Sequence, residues 1–413
     1  MKNKFAFALA LACACGSSSS SNPNQNSKCQ PGSGNTLNAS CDPGFTQNAP
    51  NKPGSIQVTF SGETLGVDGL PFPPGDPNAD PFFVDGWRIS FDEILVVLGN
   101  FRLAPGATQS PDQSVVGTPV VTMPGPYVVD MHKPSGFTGK DGTEPAGGIF
   151  KWDADDSGKA FDNNTRYSFS YDVMKAVYPA TQVNLDSSQF ADYATMVQKG
   201  WSKLYRGTAT YNGNNAYDDP GNPNNAAAKA AFAALPATVH FMFGWDDHGS
   251  LINCDNPDFG KGQANRGIQP NSSGAVIAQV TLHVDHAFWD ILKQEGAYLR
   301  FDPIAAWAPA GTTAANPFDI GTLGHKPLAS TFANGTPLPD RGPFQSTGSA
   351  KPTDQTNPHQ VSLDLNGVPA QNVPGLANFM AFSAQSQMHL NADGLCYVKG
   401  QSASDPYYSP GIP

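Results

Sequence analysis

The sequence predicts an all-β fold, an antiparallel β-sandwich with long Gly/Pro-rich loops and a few short helices. Runs of alternating apolar and polar residues recur along the chain, and no regular alternation of strands with helices is visible. The chain also has 42 glycines and 37 prolines in 413 residues, well above the average share of about one residue in eight for the two together. That excess implies many turns and loops, and we treat residues 54–413 as a single β-rich domain.

The strands are predicted from side chains that alternate between apolar and polar, because successive residues of a strand face opposite sides of the sheet. This pattern marks 55–60, 167–171, 239–243 and the first part of 87–103. The centre of the last segment is continuously apolar, which is typical of burial on both faces, so it is two strands or one long bent strand. The other elements are a strand at 127–130, an extended segment at 205–211, and helical segments at 190–204 and 226–235.

Segment 275–308 begins with a strand on which two sets of side chains alternate. One face carries Val280, Leu282 and Val284, and the other carries Thr281, His283 and Asp285. Asp285 is predicted to cap a short helix that ends near Gly296, and a second strand follows at 298–301. His283, Asp285 and His286 therefore meet at a strand-to-helix corner, where side chains can converge.

A second group of polar side chains lies on and after strand 239–243. His240 is within the strand, and Asp246 and His248 follow its end. Imidazole and carboxylate groups suit zinc or copper. If this segment and 275–284 are neighbouring strands, one copper or zinc site is formed by His240, Asp246, His248, His283, Asp285 and His286. The alternative is that Asp285 only caps its helix, the histidines are ordinary sheet residues and residues 246–249 form a turn.

Acidic residues at alternate positions mark a third candidate site. Asp153, Asp155 and Ser157, followed by Gly158, are similar to the first half of an EF-hand calcium loop. Asn164 stands where that loop needs a bidentate glutamate. The segment is therefore either a calcium loop of another kind or an aspartate-rich turn.

The N-terminus has two lysines and then a short apolar run, a pattern typical of a secretory signal. Small residues precede Cys15, and the segment resembles the lipobox of bacterial lipoproteins, although alanine stands where leucine is usual. This resemblance implies a cleaved signal peptide and a lipidated cysteine, and we expect the signal to be residues 1–14 and the lipid to be on Cys15. Lipidation at Cys13 is the alternative. The resemblance also implies that a non-acidic residue after the cysteine, here Gly16, permits export to the outer membrane, so the protein is expected in the cell envelope, in the periplasm and anchored by its lipid to the outer membrane.

Residues 15–53 are rich in serine, asparagine, glycine and proline, and we expect them to be a flexible tether. If Cys15 carries the lipid, four cysteines remain, an even number that suits an oxidising compartment. We favour the pairs Cys29–Cys41 and Cys254–Cys396. Pairing of the first two cysteines with the distant two is the other possibility.

The net charge of −11 argues against nucleic acid as a partner, because that partner needs basic patches. The motifs GxSxG and HExxH are missing from the sequence, and so is a phosphate-binding glycine loop. We therefore expect a lipid-anchored metal-binding protein rather than an enzyme, and assign no catalytic residue. A structural or adhesion lipoprotein without a metal is the first alternative, and a hydrolase with Asp285 and His283 as acid and base is the second. The sequence identifies no protein partner.

Overall fold

The computed structural model describes residues 52–76, 81–133, 137–138, 145–214, 225–260, 263–294, 296–341 and 360–399. The predicted signal peptide, the lipidation of Cys15, the tether up to residue 51 and the pair Cys29–Cys41 lie outside these residues. The strands are β1 (Ile56–Ser61), β2 (Trp87–Pro105), β3 (Val121–Met123), β4 (Tyr127–Asp130), β5 (Phe137–Thr138), β6 (Pro145–Trp152), β7 (Tyr167–Val173), β8 (Thr181–Val183), β9 (Lys203–Tyr211), β10 (Thr238–Trp245), β11 (Gly249–Ile252), β12 (Val276–Leu282), β13 (Phe318–Asp319), β14 (Met388–Leu390), β15 (Gly394–Leu395) and β16 (Tyr397–Lys399).

Helices are shorter and connect the strands. The α-helices are α1 (Glu63–Asp68), α2 (Phe190–Lys199), α3 (Asn225–Ala233), α4 (Asp302–Ala305) and α5 (Leu376–Ser383). Single 3-10 turns lie at Ser187–Gln189, Pro257–Phe259, Gln263–Asn265, Val284–Phe288, Ile320–Leu323, Ala370–Asn372 and Ala384–Ser386. Within the described part of the chain, no helix is long and apolar enough to cross a membrane.

The larger sheet is organised around β2, which is one long strand. This confirms one of the two alternatives predicted for residues 87–103, a single long bent strand. The order of the sheet is β13-β10-β9-β2-β7-β11-β16, with β3 and β4 also paired to β2 and β8 paired to β4. The pairing of β2 shifts register once along β9 and once along β7, as expected of a strand that bends. Its centre is buried on both faces: Ile94 and Val96 belong to the main core, and Leu95 and Val97 to a second cluster that includes residues of α2.

The smaller sheet has the order β15-β14-β12-β1-β6-β5. In this sheet β12 and β1 are parallel, while β14 is antiparallel to β12. The prediction of a mainly β protein is confirmed. The expectation of a purely antiparallel arrangement is wrong, because β1–β12, β10–β13 and β4–β8 are parallel pairs.

Aromatic side chains join the two sheets in one core. The ring of Phe150 on β6 lies 5.1 Å from that of Phe101 on β2 and 6.0 Å from that of Tyr127 on β4. The same hydrophobic cluster extends from Ile56 on β1 to Leu390 on β14. The end of β12 is therefore held between a packed core and its neighbours β1 and β14.

A disulfide ties the C-terminal strands to the rest of the fold. Cys254 is bonded to Cys396, 142 residues later, which confirms the predicted pair. Beside it, the backbone amide of Asp255 donates to the carbonyl of Leu395, at 2.9 Å. The bond therefore fixes β15 and β16 to the segment that follows β11, and β14 lies only a few residues before it.

Candidate metal centre

The candidate site begins where β12 ends. The chain turns directly from Leu282 into the 3-10 turn Val284–Phe288, and His283 is its N-cap residue. Asp285 lies in the first turn, so the prediction that it caps a longer helix is wrong. The turn stops at Trp289, whose backbone is extended, with ψ of 146°. The apolar spacing that suggested a helix therefore belongs to a short turn followed by irregular chain.

This tight turn brings together three side chains that the sequence placed at the corner. One potential ligand atom from each of His283, Asp285 and His286 lies within 4.8 Å of the others. His286 is buried, and the other two are half-buried. Imidazole nitrogen and carboxylate oxygen are the donors found in zinc and copper sites. The geometry can therefore hold a metal ion.

The orientation of His286 is fixed by the hydroxyl of Ser386. Nδ1 of His286 lies 2.9 Å from Oγ of Ser386, and that hydroxyl donates its own proton to the carbonyl of Ser383, at 3.0 Å. The hydroxyl must then accept from Nδ1, which leaves the lone pair of His286 on Nε2. This is also not the arrangement of an activated serine nucleophile, since the hydroxyl proton points away from the imidazole.

Burial first, and then the neighbouring His389, His283 and Lys203, lower the pKa of His286 well below its ordinary value. The ring is thus neutral at pH 7, which is the form that binds metals. The imidazole ring of His286 packs against the indole of Trp289, with ring centroids 3.8 Å apart. Trp289 also donates from Nε1 to Oδ2 of Asp285, at 3.2 Å. One indole therefore touches two of the three candidate ligands.

Glu63, at the start of α1, faces His283. Its Oε1 lies 3.1 Å from Nε2 of His283, although neither atom makes a hydrogen bond of good geometry with the described residues. Burial lowers the pKa of His283, but Glu63, Asp285 and Asp393 outweigh it and the net shift is upward. Burial also raises the pKa of Asp285, against the opposing effects of His283 and Trp289.

The backbone of Glu63 is unusual. Its φ is +54°, in the left-handed region that residues other than glycine seldom adopt. Its backbone amide donates a hydrogen bond to Oγ of Ser61, at 2.8 Å. Strain of this kind is often kept where it places a functional side chain, and here the side chain it places is the carboxylate beside His283.

A third histidine, His389 on β14, belongs to the same neighbourhood and was not among the predicted site residues. It lies opposite Thr281 in the β12–β14 pairing, and its ring centroid is 4.2 Å from that of His283. Burial and then the charge of His283 lower its pKa to about 3, while the backbone of Ser386 and Ala392 opposes this. Only the pairing of β12 with β14 brings it here, and the local sequence pattern gives no signal of that pairing.

The other three predicted ligands have different surroundings. The expectation that their strand neighbours β12 is wrong, because β10 lies in the larger sheet and β12 in the smaller one. Nδ1 of His240 lies 3.0 Å from the hydroxyl of Thr208 on β9. Nδ1 of His248 is 2.8 Å from Asp246, which also pairs with Lys175. The group of three ligands found in the described residues includes none of His240, Asp246 and His248.

The candidate calcium residues have protein partners. Asp153 lies 3.2 Å from Nζ of Lys52 and 3.4 Å from Nζ of Lys151. Oδ1 of Asp155 accepts from the amide and the hydroxyl of Ser157 and from the amide of Lys159. These contacts are those of an aspartate-stabilised turn, and calcium binding there stays a prediction.

Comparison of the chain with protein-family models, with curated proteins and with solved structures found no match.

Proposed function

We propose that this protein binds a divalent transition metal ion, zinc or copper, through His283, Asp285 and His286. The observation that carries the proposal is the approach of their ligand atoms to within 4.8 Å of one another. Bonds of about 2.05 Å at tetrahedral angles place neighbouring ligand atoms ~3.4 Å apart. A contraction of at most about 1.4 Å, within reach of side-chain rotation, then closes the three donors on one ion.

The surroundings of the three residues support this proposal. The hydroxyl of Ser386 orients His286 with its lone pair on Nε2, and Trp289 holds Asp285. Partners of this kind are typical around metal ligands, because they fix the ring and the tautomer. The group has nitrogen and oxygen donors and no sulfur, which favours Zn²⁺ or Cu²⁺ over Cu⁺.

Metal analysis of the purified protein tests the proposal. We expect about one zinc or copper ion per chain after loading and desalting, and loss of that ion in His283→Ala and His286→Ala. His248→Ala is the matched control, since this histidine pairs with Asp246 outside the group, and it should retain the ion. A content far below one ion per chain, unchanged in His283→Ala, would end the proposal.

Trp289 provides a second readout in the same protein. Because its indole stacks on His286, Cu²⁺ bound at this site should quench its fluorescence. Trp289→Phe should remove most of the quenching while the other tryptophans still emit. Quenching that is equal in the wild type and in Trp289→Phe would place the ion elsewhere.

We also propose that the protein is anchored in the cell envelope by a lipid on Cys15, with residues 15–53 as its tether. The support is the signal-like N-terminus and the small residues before this cysteine. Cys15→Ala should release the protein from the membrane fraction and abolish incorporation of labelled palmitate.

For the folded part, the aromatic contacts between β6 and β2 support a sandwich-like packing of the two sheets.

A further inference from the structure

Three imidazole rings surround a common point in this structure, although the sequence pattern joined only two of them. The ring centroids of His283, His286 and His389 are separated by 5.4, 4.2 and 5.8 Å. The point equidistant from the three centroids lies about 3.0 Å from each, and an ion bonded to an imidazole nitrogen lies ~3.2 Å from the centroid of that ring. His389 is not in the group of three residues whose ligand atoms lie within 4.8 Å of one another, so its side chain must move towards the other two before one ion can bond to all three rings.

The hydrogen bonding of His389 leaves a nitrogen free for such an ion. Its Nε2 lies 2.7 Å from the carbonyl oxygen of Ser386, so Nε2 carries the proton and donates it. The lone pair is then on Nδ1, which makes no hydrogen bond of good geometry with the described residues, although the backbone of Ala392 also lies beside the ring. The residue is 3% exposed. A buried polar atom without a partner is costly, and a bound ion is one of the few explanations for keeping it.

Ser386 thus orients two imidazoles at once. Its hydroxyl accepts from Nδ1 of His286, and its carbonyl accepts from Nε2 of His389. Each contact takes up the proton-bearing nitrogen and leaves the opposite nitrogen as the acceptor. A single residue with this double role is expected where two rings must be presented to the same ion.

We propose that His389 is the third imidazole ligand of the metal centre, so that the donor set is three histidines and Asp285. This inference rests on the metal-binding function proposed above and specifies it. Two histidines with one carboxylate and open positions are typical of non-haem Fe²⁺ sites. A third imidazole instead gives a nearly closed four-ligand shell that suits Zn²⁺ or Cu²⁺ and leaves little room for a substrate on the ion.

The test compares the full-length wild type with His389→Gln and His389→Ala. Gln keeps a side-chain amide that can donate to the carbonyl of Ser386, and so maintains the fold without an imidazole. We expect Zn²⁺ affinity in both variants to fall by about 100-fold or more, because loss of an orienting partner alone costs up to that much. His240→Ala, which removes a strand histidine bound to Thr208, is the control and should keep the wild-type affinity.

Electron paramagnetic resonance of the Cu²⁺-loaded protein counts the nitrogens directly. Three imidazole nitrogens in the wild type and two in His389→Gln support the proposal. Wild-type affinity and an unchanged spectrum in His389→Gln overturn it while metal binding itself stands. If both variants fail to fold, the wild-type count decides, since two nitrogens overturn the proposal. A wild type that binds no ion overturns this inference and the proposed function together.

Discussion

The hydroxyl of Ser386 offers the sharpest test of how the site is built. Ser386→Ala removes one oxygen and leaves the carbonyl that receives the proton of His389. It deletes the 2.9 Å contact with Nδ1 of His286 and with it the control of that ring's tautomer. The ring can then rotate or move its proton to Nε2, the nitrogen that should bind the ion.

The expected cost follows from the size of that contact. One hydrogen bond between neutral groups contributes about 1 kcal/mol, and removing an orienting partner of a ligand weakens metal binding by roughly 10- to 100-fold. This corresponds to ~1.4–2.7 kcal/mol of binding free energy. The metal-free protein should unfold at nearly the wild-type temperature, because Ser386 is only half-buried.

Competition of Zn²⁺ between the protein and a chromophoric chelator measures this change. The matched control is Ser383→Ala, in the same segment, because the Ser383 hydroxyl has no hydrogen-bond partner among the described residues. We expect Ser383→Ala to bind Zn²⁺ like the wild type. If Ser386→Ala also bound within twofold of the wild type, the hydroxyl would not orient a ligand and our assignment of the Nε2 lone pair would be wrong.

Three further predictions concern the scaffold. The disulfide closes a loop with a sequence separation of 142. The double variant Cys254→Ala/Cys396→Ala should therefore have a free energy of unfolding, measured in denaturant, that is lower by about 3–5 kcal/mol. A loss below ~1 kcal/mol contradicts this prediction. Burial, followed by a hydrogen bond and charge repulsion from Asp192, raises the pKa of Glu93 from 4.5 to about 9. The folded state then holds a proton that the unfolded chain has released, so Glu93 should make stability fall as pH rises from 5 to 9, by up to about 1.4 kcal/mol per unit. Glu93→Gln should make the slope of the wild type shallower by that amount; equal slopes refute the assignment. Gly244→Ala places a Cβ 2.1 Å from the ring of Trp201 and should lower the melting temperature through a loss of about 1–3 kcal/mol; an unchanged melting temperature contradicts it.

Local periodicity predicted seven of the sixteen described strands, β1, β2, β4, β7, β9, β10 and β12, and missed the eight-residue strand β6. Alternation in 55–60 and 239–243 corresponds to β1 and β10, and the continuously apolar centre of 87–103 corresponds to the doubly buried part of β2. These patterns report which faces of a strand are buried, and burial is a local consequence of the side chains. They do not report which strand lies beside which, so the parallel pair β1–β12 could not be predicted.

The same limit explains the outcome for the candidate site. His283, Asp285 and His286 are adjacent in sequence, and any tight turn after β12 brings them together. The predicted contribution of His240 required β10 to pair with β12, whereas β10 pairs with β9 and β13. The predicted capping role of Asp285 is wrong for a different reason. The backbone becomes extended at Trp289 after a single 3-10 turn, so there is no longer helix for Asp285 to cap.

The half of the site that the sequence did not predict comes from the end of the chain. Ser386 and His389 follow α5, roughly a hundred positions after the turn that they face. Several contacts hold their segment. β14 pairs with β12 and with β15, the amide of His283 donates to the carbonyl of Gln387, and Cys396 is bonded to Cys254 a few residues later. Because β14 is only three residues long, its ladder of hydrogen bonds alone is a weak restraint. The disulfide adds a covalent restraint to these contacts, because it ties the segment just after β14 to the segment that follows β11.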